Sequence, residues 1–247
     1  MTPPRPTFLS VPLDPLTMDE TVARCRELIL SGRAAQHVVL NAGKCVLMHD
    51  EPDVAAIVRR CDLVNADGQG VVWAARFLGI AVPERVAGID LMGRLLALCE
   101  NERWPVYFFG ATAEVLDAFT AEAARRHPGL LVAGRRDGYF RADEEGAIAE
   151  AIRASGARLV LVAFSSPMKE RFLARHLPRM GPQLSVGVGG SFDVWAGKVS
   201  RAPAWMQRAG LEWLHRFAQE PRRMWRRYLV GNARFAWIVL RARLAAR

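Results

Sequence analysis

Asp67 stands in the stretch LVNADGQGVVWAARFLG, where Leu63 and Val64 give way to Asn65, Ala66, Asp67 and Gly68 and then to an amphipathic run from about Gln69. A carboxylate at such a junction can cap the helix, hold a nucleotide or act as a general base. Similar groups recur at other junctions: NAGK after Leu40, FGAT after Phe108, GRRDGYF after Ala133, FSSPMKE after Ala163 and GVGGSFD after Val186. Each has an ordinary structural use. Asp193 can cap a turn, and Glu170 can complement a helix dipole from the first turn. Gly187, Gly189 and Gly190 permit a tight turn, though they equally let backbone amides approach a phosphate. Taken together they describe an anion-binding cleft with a carboxylate in it.

Several common chemistries are absent. In DGQGVVW the third glycine of a dinucleotide fingerprint is replaced by Trp73, and in GVGGSFD by Phe192. There is no GxxxxGK[ST] loop, no GxSxG elbow and no Asp-x-Asp for a divalent metal on a nucleotide-sugar diphosphate. The five histidines are isolated, so a histidine-based metal site is not expected, and none of these motifs points to a cofactor.

The elements that must position these groups alternate. Short apolar runs lie at His37–Leu40, Leu63–Asn65, Val106–Phe109, Leu130–Ala133, Leu159–Phe164 and Leu184–Val188. Helical stretches lie between most of them, at Leu91–Glu100, Ala113–Arg126, Glu144–Ala154 and Met168–His176. Such alternation predicts βαβ units and a mostly parallel sheet with helices on both faces. Right-handed crossovers then bring the carboxyl ends of the strands to one edge, where open α/β sheets bind ligands.

The chain has 247 residues, of which 51% are hydrophobic, enough for a sizeable core. Its four scattered cysteines fit reduced thiols, which points to the cytoplasm. The N-terminal MTPPRPTFLS lacks the apolar region of a secretory signal, and no stretch approaches the roughly 18 apolar residues of a membrane span. The net charge is +9, and residues 201–247 account for all of it, with eleven arginines against Glu212 and Glu220. Four of the seven tryptophans, Trp205, Trp213, Trp225 and Trp237, lie there too. Residues 1–200 are therefore expected to form the ligand-binding domain and 201–247 a helical basic appendage. Aromatics interleaved with arginines suit an anionic membrane surface; solvated arginines on core-packed helices are the alternative. No nucleic-acid-binding motif accompanies the charge.

The run NADGQGVVWAARFLGIAVPERVAGIDLM resembles the central motif of the WecG/TagA/CpsF glycosyltransferases. FFGAT, GRRDGYF, SPMKERF, GVGGSFDVWAGKVSRAPAW and GLEWLHRFAQEPRRMWRR follow in that family's order, so the match covers about residues 10 to 240. The resemblance implies a Rossmann-like sheet and an inverting, metal-independent transfer in surface polysaccharide assembly. A sugar, N-acetylmannosamine or a hexose such as glucose, would pass from UDP to a polyprenyl-diphosphate-linked sugar. The enzyme would sit peripherally on the inner face of the bacterial cytoplasmic membrane, and could self-associate.

The same resemblance implies residue roles. Asp67 matches the catalytic base, with Asn41 in the loop beside it and Arg85 of PERVAG suited to the diphosphate. Arg216, Arg223 and Arg226 would complete the site from the appendage. Gly110, Gly189, Gly190 and Asp193 would hold the nucleotide, and Asp137, Lys169 and Glu170 join the substrate-binding set. Two positions depart from the family pattern. Val39 stands where a threonine hydroxyl helps position substrate, and Lys169 stands where the family has glutamine. Lys169 suits a more anionic ligand; Val39 raises the alternatives of a silent nucleotide-sugar-binding protein or, from the tail, a membrane scaffold.

Overall fold

The structure, a computed structural model, describes residues 5–181, 183–219, 221, 225 and 229–245. A short antiparallel hairpin, β1 (Thr7–Phe8) and β2 (Val11–Pro12), precedes helix α1 (Met18–Leu30). There follow β3 (Ala35–Leu40), α2 (Ala42–Asp50), α3 (Pro52–Arg59), β4 (Leu63–Ala66), α4 (Gln69–Phe77) and α5 (Gly88–Asn101). The second half runs β5 (Val106–Gly110), α6 (Ala113–Arg126), β6 (Val132–Arg136), α7 (Glu145–Ala154), β7 (Leu159–Ala163), α8 (Met168–His176), β8 (Leu184–Gly187) and α9 (Ser191–Trp195). The C-terminal segment contributes α10 (Ala204–Arg208), α11 (Glu212–Gln219) and α12 (Gly231–Ala245).

Strands β3 to β8 form one six-stranded sheet in the order β4-β3-β8-β7-β5-β6, and every pairing is parallel. Both faces are covered, which is why the strands are rich in Val, Leu and Phe and show little polar alternation. Successive residues feed opposite cores. Phe108, Leu159 and Leu161 pack with α5 and α6, whereas Phe109, Val160 and Val162 pack with α7 and α8. Next to them, Val38, Leu40 and Val64 join a third apolar group with α2, α3 and α4.

Helix α2 therefore leaves β3 on one face, while α9 leaves the adjacent β8 on the other, its Phe192 stacked on Phe119 of α6. Neighbouring strands whose helices depart to opposite faces open a crevice at their carboxyl ends.

The last helix is tied into the main body. Phe235, Ile238 and Val239 of α12 are buried in the same core as Val46 of α2 and Val71 of α4. Arg234 forks onto both carboxylate oxygens of Asp50 at 2.9 and 2.6 Å. Truncating a buried phenylalanine leaves a cavity as well as losing its transfer energy. Phe235→Ala is thus expected to lower unfolding free energy by about 3–5 kcal/mol in denaturant titration. A loss under 1 kcal/mol would mean that α12 only rests on the surface.

Candidate active site

Most residues singled out in the first 200 positions follow a particular strand, and the strand order lays these residues along one edge. Asp67 follows β4, Asn41 follows β3, Gly189 and Gly190 follow β8, Lys169 and Glu170 follow β7, Gly110 ends β5, and Asp137 follows β6. Because all six strands are parallel, these are all carboxyl ends. Five strand spacings span about 24 Å, room for an extended ligand laid across them.

Asp67 does not cap the helix that follows it: Gly68 is the N-cap of α4, with no side-chain hydrogen bond. Its backbone N–H donates to Leu40 O at 2.8 Å, fixing it beside β3. Its Oδ1 accepts instead from Gly88 N–H, 3.1 Å away in the first turn of α5. Oδ2 has no hydrogen-bond partner among the described residues. Burial raises the carboxyl above its ordinary value, with the Glu212 charge adding to the rise; the Gly88 N–H, Arg85 and Arg216 oppose it. A carboxylate with raised basicity and a free oxygen is fitted to accept a proton.

Asn41 caps α2, its Oδ1 accepting from Lys44 N–H at 3.0 Å. A Cβ on Gly68 would lie 3.8 Å from both Cα and Cβ of Asn41, so the loops after β3 and β4 touch and Asn41 stands next to Asp67. Val39 completes this corner from β3: its Cγ2 lies 3.8 Å from where a Cβ of Gly88 would sit.

Helix α11 reaches the same corner. Glu212 and Arg216 are four residues apart and share a helix face. Glu212 Oε2 accepts from Arg85 Nη1 at 3.0 Å. Arg216 Nη2 lies 3.1 Å from a Cβ built on Gly190, whose next neighbour is Asp193 Oδ2 at 3.6 Å. The structure thus brings Asp67, Asn41, Arg85, Gly190, Asp193 and Arg216 together. Arg223 and Arg226 lie outside the described residues.

At the centre of the edge is a buried charged group that the sequence reading only partly found. Glu170 does more than complement a helix dipole. Its Oε1 accepts from Lys44 Nζ at 2.5 Å and from Ser166 Oγ at 3.0 Å, and lies 3.1 Å from Lys169 Nζ. Lys169 also donates to Ser166 Oγ at 2.8 Å, and a Cβ on Gly187 would strike its Cε at 2.7 Å. Glycine at the end of β8 is what gives Lys169 its space. Burial pushes the Lys169 ammonium down to about 8, reinforced by the Lys44 charge and opposed by Glu170. For Glu170, burial would raise the carboxyl, but the charges and hydrogen bonds of the two lysines outweigh it and hold it at about 2. Lys44 was overlooked in NAGK because a lysine near a helix start usually reads as solvated. Glu212 was overlooked as one carboxylate among many arginines.

The remaining positions shape the far end. Gly110 has φ +124° and a Cβ there would lie 2.7 Å from the Ala163 carbonyl carbon, so close strand packing requires glycine. Asp137 Oδ1 accepts from Tyr139 N–H at 2.9 Å and so fixes the turn after β6. That turn borders a 660 Å³ cleft lined by Tyr139, Phe140, Arg141, Phe164 and Met168. The cleft is separate from Asp67, at the opposite end of the edge.

Among the described residues no helix is long and apolar enough to cross a membrane. The family model for the glycosyl transferase WecG/TagA/CpsF family matches residues 6–247, nearly the whole chain. The protein is thus a glycosyltransferase of surface polysaccharide biosynthesis, and the chain belongs to the WecG/TagA/CpsF family.

Proposed function

We propose that the enzyme transfers N-acetylmannosamine or a hexose such as glucose from UDP to a polyprenyl-diphosphate-linked sugar, with inversion and without a metal. The observation that carries this reading is Asp67, its carboxyl raised by burial, fixed by Gly88 N–H and flanked by Arg85 and Arg216. Asp67 takes the proton of the acceptor hydroxyl as that oxygen bonds to the anomeric carbon. The bond from that carbon to the UDP oxygen breaks on the other side, and its electron pair leaves with UDP. Fixed charge from Arg85 and Arg216 and backbone amides around Gly189 and Gly190 would stabilise the departing diphosphate. Lys169 supplies further positive charge from beneath, and the aromatic cleft beside Tyr139, Phe140 and Phe164 suits the nucleobase.

Exposed Trp205, Trp237, Leu240 and Leu244, interleaved with the C-terminal arginines, support contact with the inner membrane surface, where a lipid-linked acceptor resides. The direct test is UDP release from a panel of UDP-sugars with a short-chain polyprenyl-diphosphate monosaccharide. Acceptor-dependent release from one donor is expected. Folded protein that releases no UDP from any donor, with liposomes present, would favour a silent binding protein.

A further inference from the structure

The chain places a carboxylate where a diphosphate-binding corner would least favour one. Among the described residues of 201–247, Glu212 is the only acidic side chain, and it faces the catalytic edge. Its two oxygens meet two arginines from different segments. Oε2 lies 3.0 Å from Arg85 Nη1, in the loop before α5, and Oε1 lies 3.7 Å from Arg201 Nε, in the connection to α10. Arg201 then forks onto Asp90 at 2.7 and 2.6 Å. Asp90 shares the first turn of α5 with Gly88, whose N–H holds Asp67.

A continuous chain of charge, Arg85–Glu212–Arg201–Asp90, therefore fastens α11 to the turn that orients Asp67. The side chains of Arg85, Glu212 and Arg201 are only 16%, 25% and 27% exposed, so water screens them less than it does a surface pair. One turn further along α11, Arg216 reaches Gly190. These ion pairs thereby tie the helix that carries Arg216 to the turn whose Gly88 N–H holds Asp67.

We infer that Glu212 is a positioning residue for sugar transfer, docking α11 through Arg85 and Arg201 so that Asp67 and Arg216 address one substrate. This rests on the reading of Asp67 as the base. Small displacements between reacting groups cost large factors in rate, so the effect should fall on turnover more than on donor binding. A second consequence is electrostatic. Among the described residues the charged groups facing Asp67 are Arg85 from the loop before α5 and Glu212 and Arg216 from α11; removing the negative one of these lowers the pH at which Asp67 loses its proton.

The test compares full-length wild type, Glu212→Gln and Asp67→Asn. For each, kcat and donor KM are measured by UDP release, kcat/KM is followed with pH, and amide exchange is followed over residues 86–91. For Glu212→Gln the expected result is a kcat about tenfold lower with donor KM changed less than threefold. The acid limb moves to lower pH, and amides 86–91 exchange faster at an unchanged thermal midpoint. Wild-type kcat, pH limb and exchange in Glu212→Gln would overturn the inference, as would a loss that follows only a lowered midpoint. An active wild type whose Asp67→Asn variant keeps full rate overturns instead the assignment of Asp67 beneath it.

Discussion

Asp67→Asn is expected to lower kcat by roughly two to four orders of magnitude while leaving donor KM within a few-fold, the usual worth of a general base. The substitution is nearly isosteric, and the asparagine oxygen can still accept the Gly88 N–H bond now made at 3.1 Å. What is lost is the second oxygen's capacity to take a proton. In the wild type, kcat/KM should rise with pH as Asp67 ionises, with a midpoint above the ordinary carboxylate range because burial raises it. The variant should lack that limb. Stability should move the other way. A carboxyl whose folded value lies above its unfolded value binds more protons folded than unfolded between the two, so folding weakens as pH rises through that window. Above its unfolded value, burial of Asp67 is therefore a cost to the fold, and Asp67→Asn should raise the thermal midpoint. Arg85 would keep Glu212 as partner in the variant. An unchanged kcat would remove Asp67 from the chemistry; a lowered midpoint would mean that its interactions with Arg85 and Arg216 outweigh its burial.

The sequence made the middle of the fold legible and its margins less so. Ala113–Arg126 and Met168–His176 are helices over the expected residues, and the central strands lie where apolar runs end in Gly, Asn, Asp or Ser. These elements are buried on a whole face, so pattern and structure coincide. Strand β6 does not follow that rule. The expected Leu130–Ala133 became Val132–Arg136, because an edge strand pairs on one side only and accommodates Arg135 and Arg136. Val132, which opens β6, and Leu131 just before it are exposed. Helix α2 was hidden by Lys44, a charged residue buried in its first turn. The same partner across 126 residues of chain, Glu170, made that burial possible and is invisible to local pattern. Position along the edge was legible for Asn41, Asp67, Gly110 and Asp137, since each of these follows or ends its own strand. The ion pairs of α11 were not, because they depend on how a returning segment docks.

Lys169→Gln, which installs the amide that the family pattern carries there, is expected to stabilise the protein near neutral pH by roughly 1–3 kcal/mol. The wild-type ammonium is held at about 8 against an ordinary 10.5. Below about pH 8 it is charged in both states, and the folded state bears the full burial penalty. As pH rises from about 8 to 10.5 the folded protein has released the proton and the unfolded chain still holds it, so stability increases through that window. The variant should show no such increase. Glu170 has the opposite sense. Held at about 2 against 4.5, it contributes stability that is complete above its unfolded value and is lost as pH falls through about 2. Glu170→Gln should accordingly cost about 3–5 kcal/mol, since it leaves Lys44 and Lys169 charged and unopposed in the interior. Thermal melts across pH 3 to 10 separate the two. Lys169→Gln that melts lower at pH 7 would show that its bonds to Glu170 and Ser166 outweigh its desolvation. A buried cation that weakens the fold invites a use for its charge, and Gly187 leaves it room at the strand ends. Stability gained together with weaker UDP binding in Lys169→Gln would identify that use as neutralising the diphosphate from below, where a glutamine could offer only a dipole.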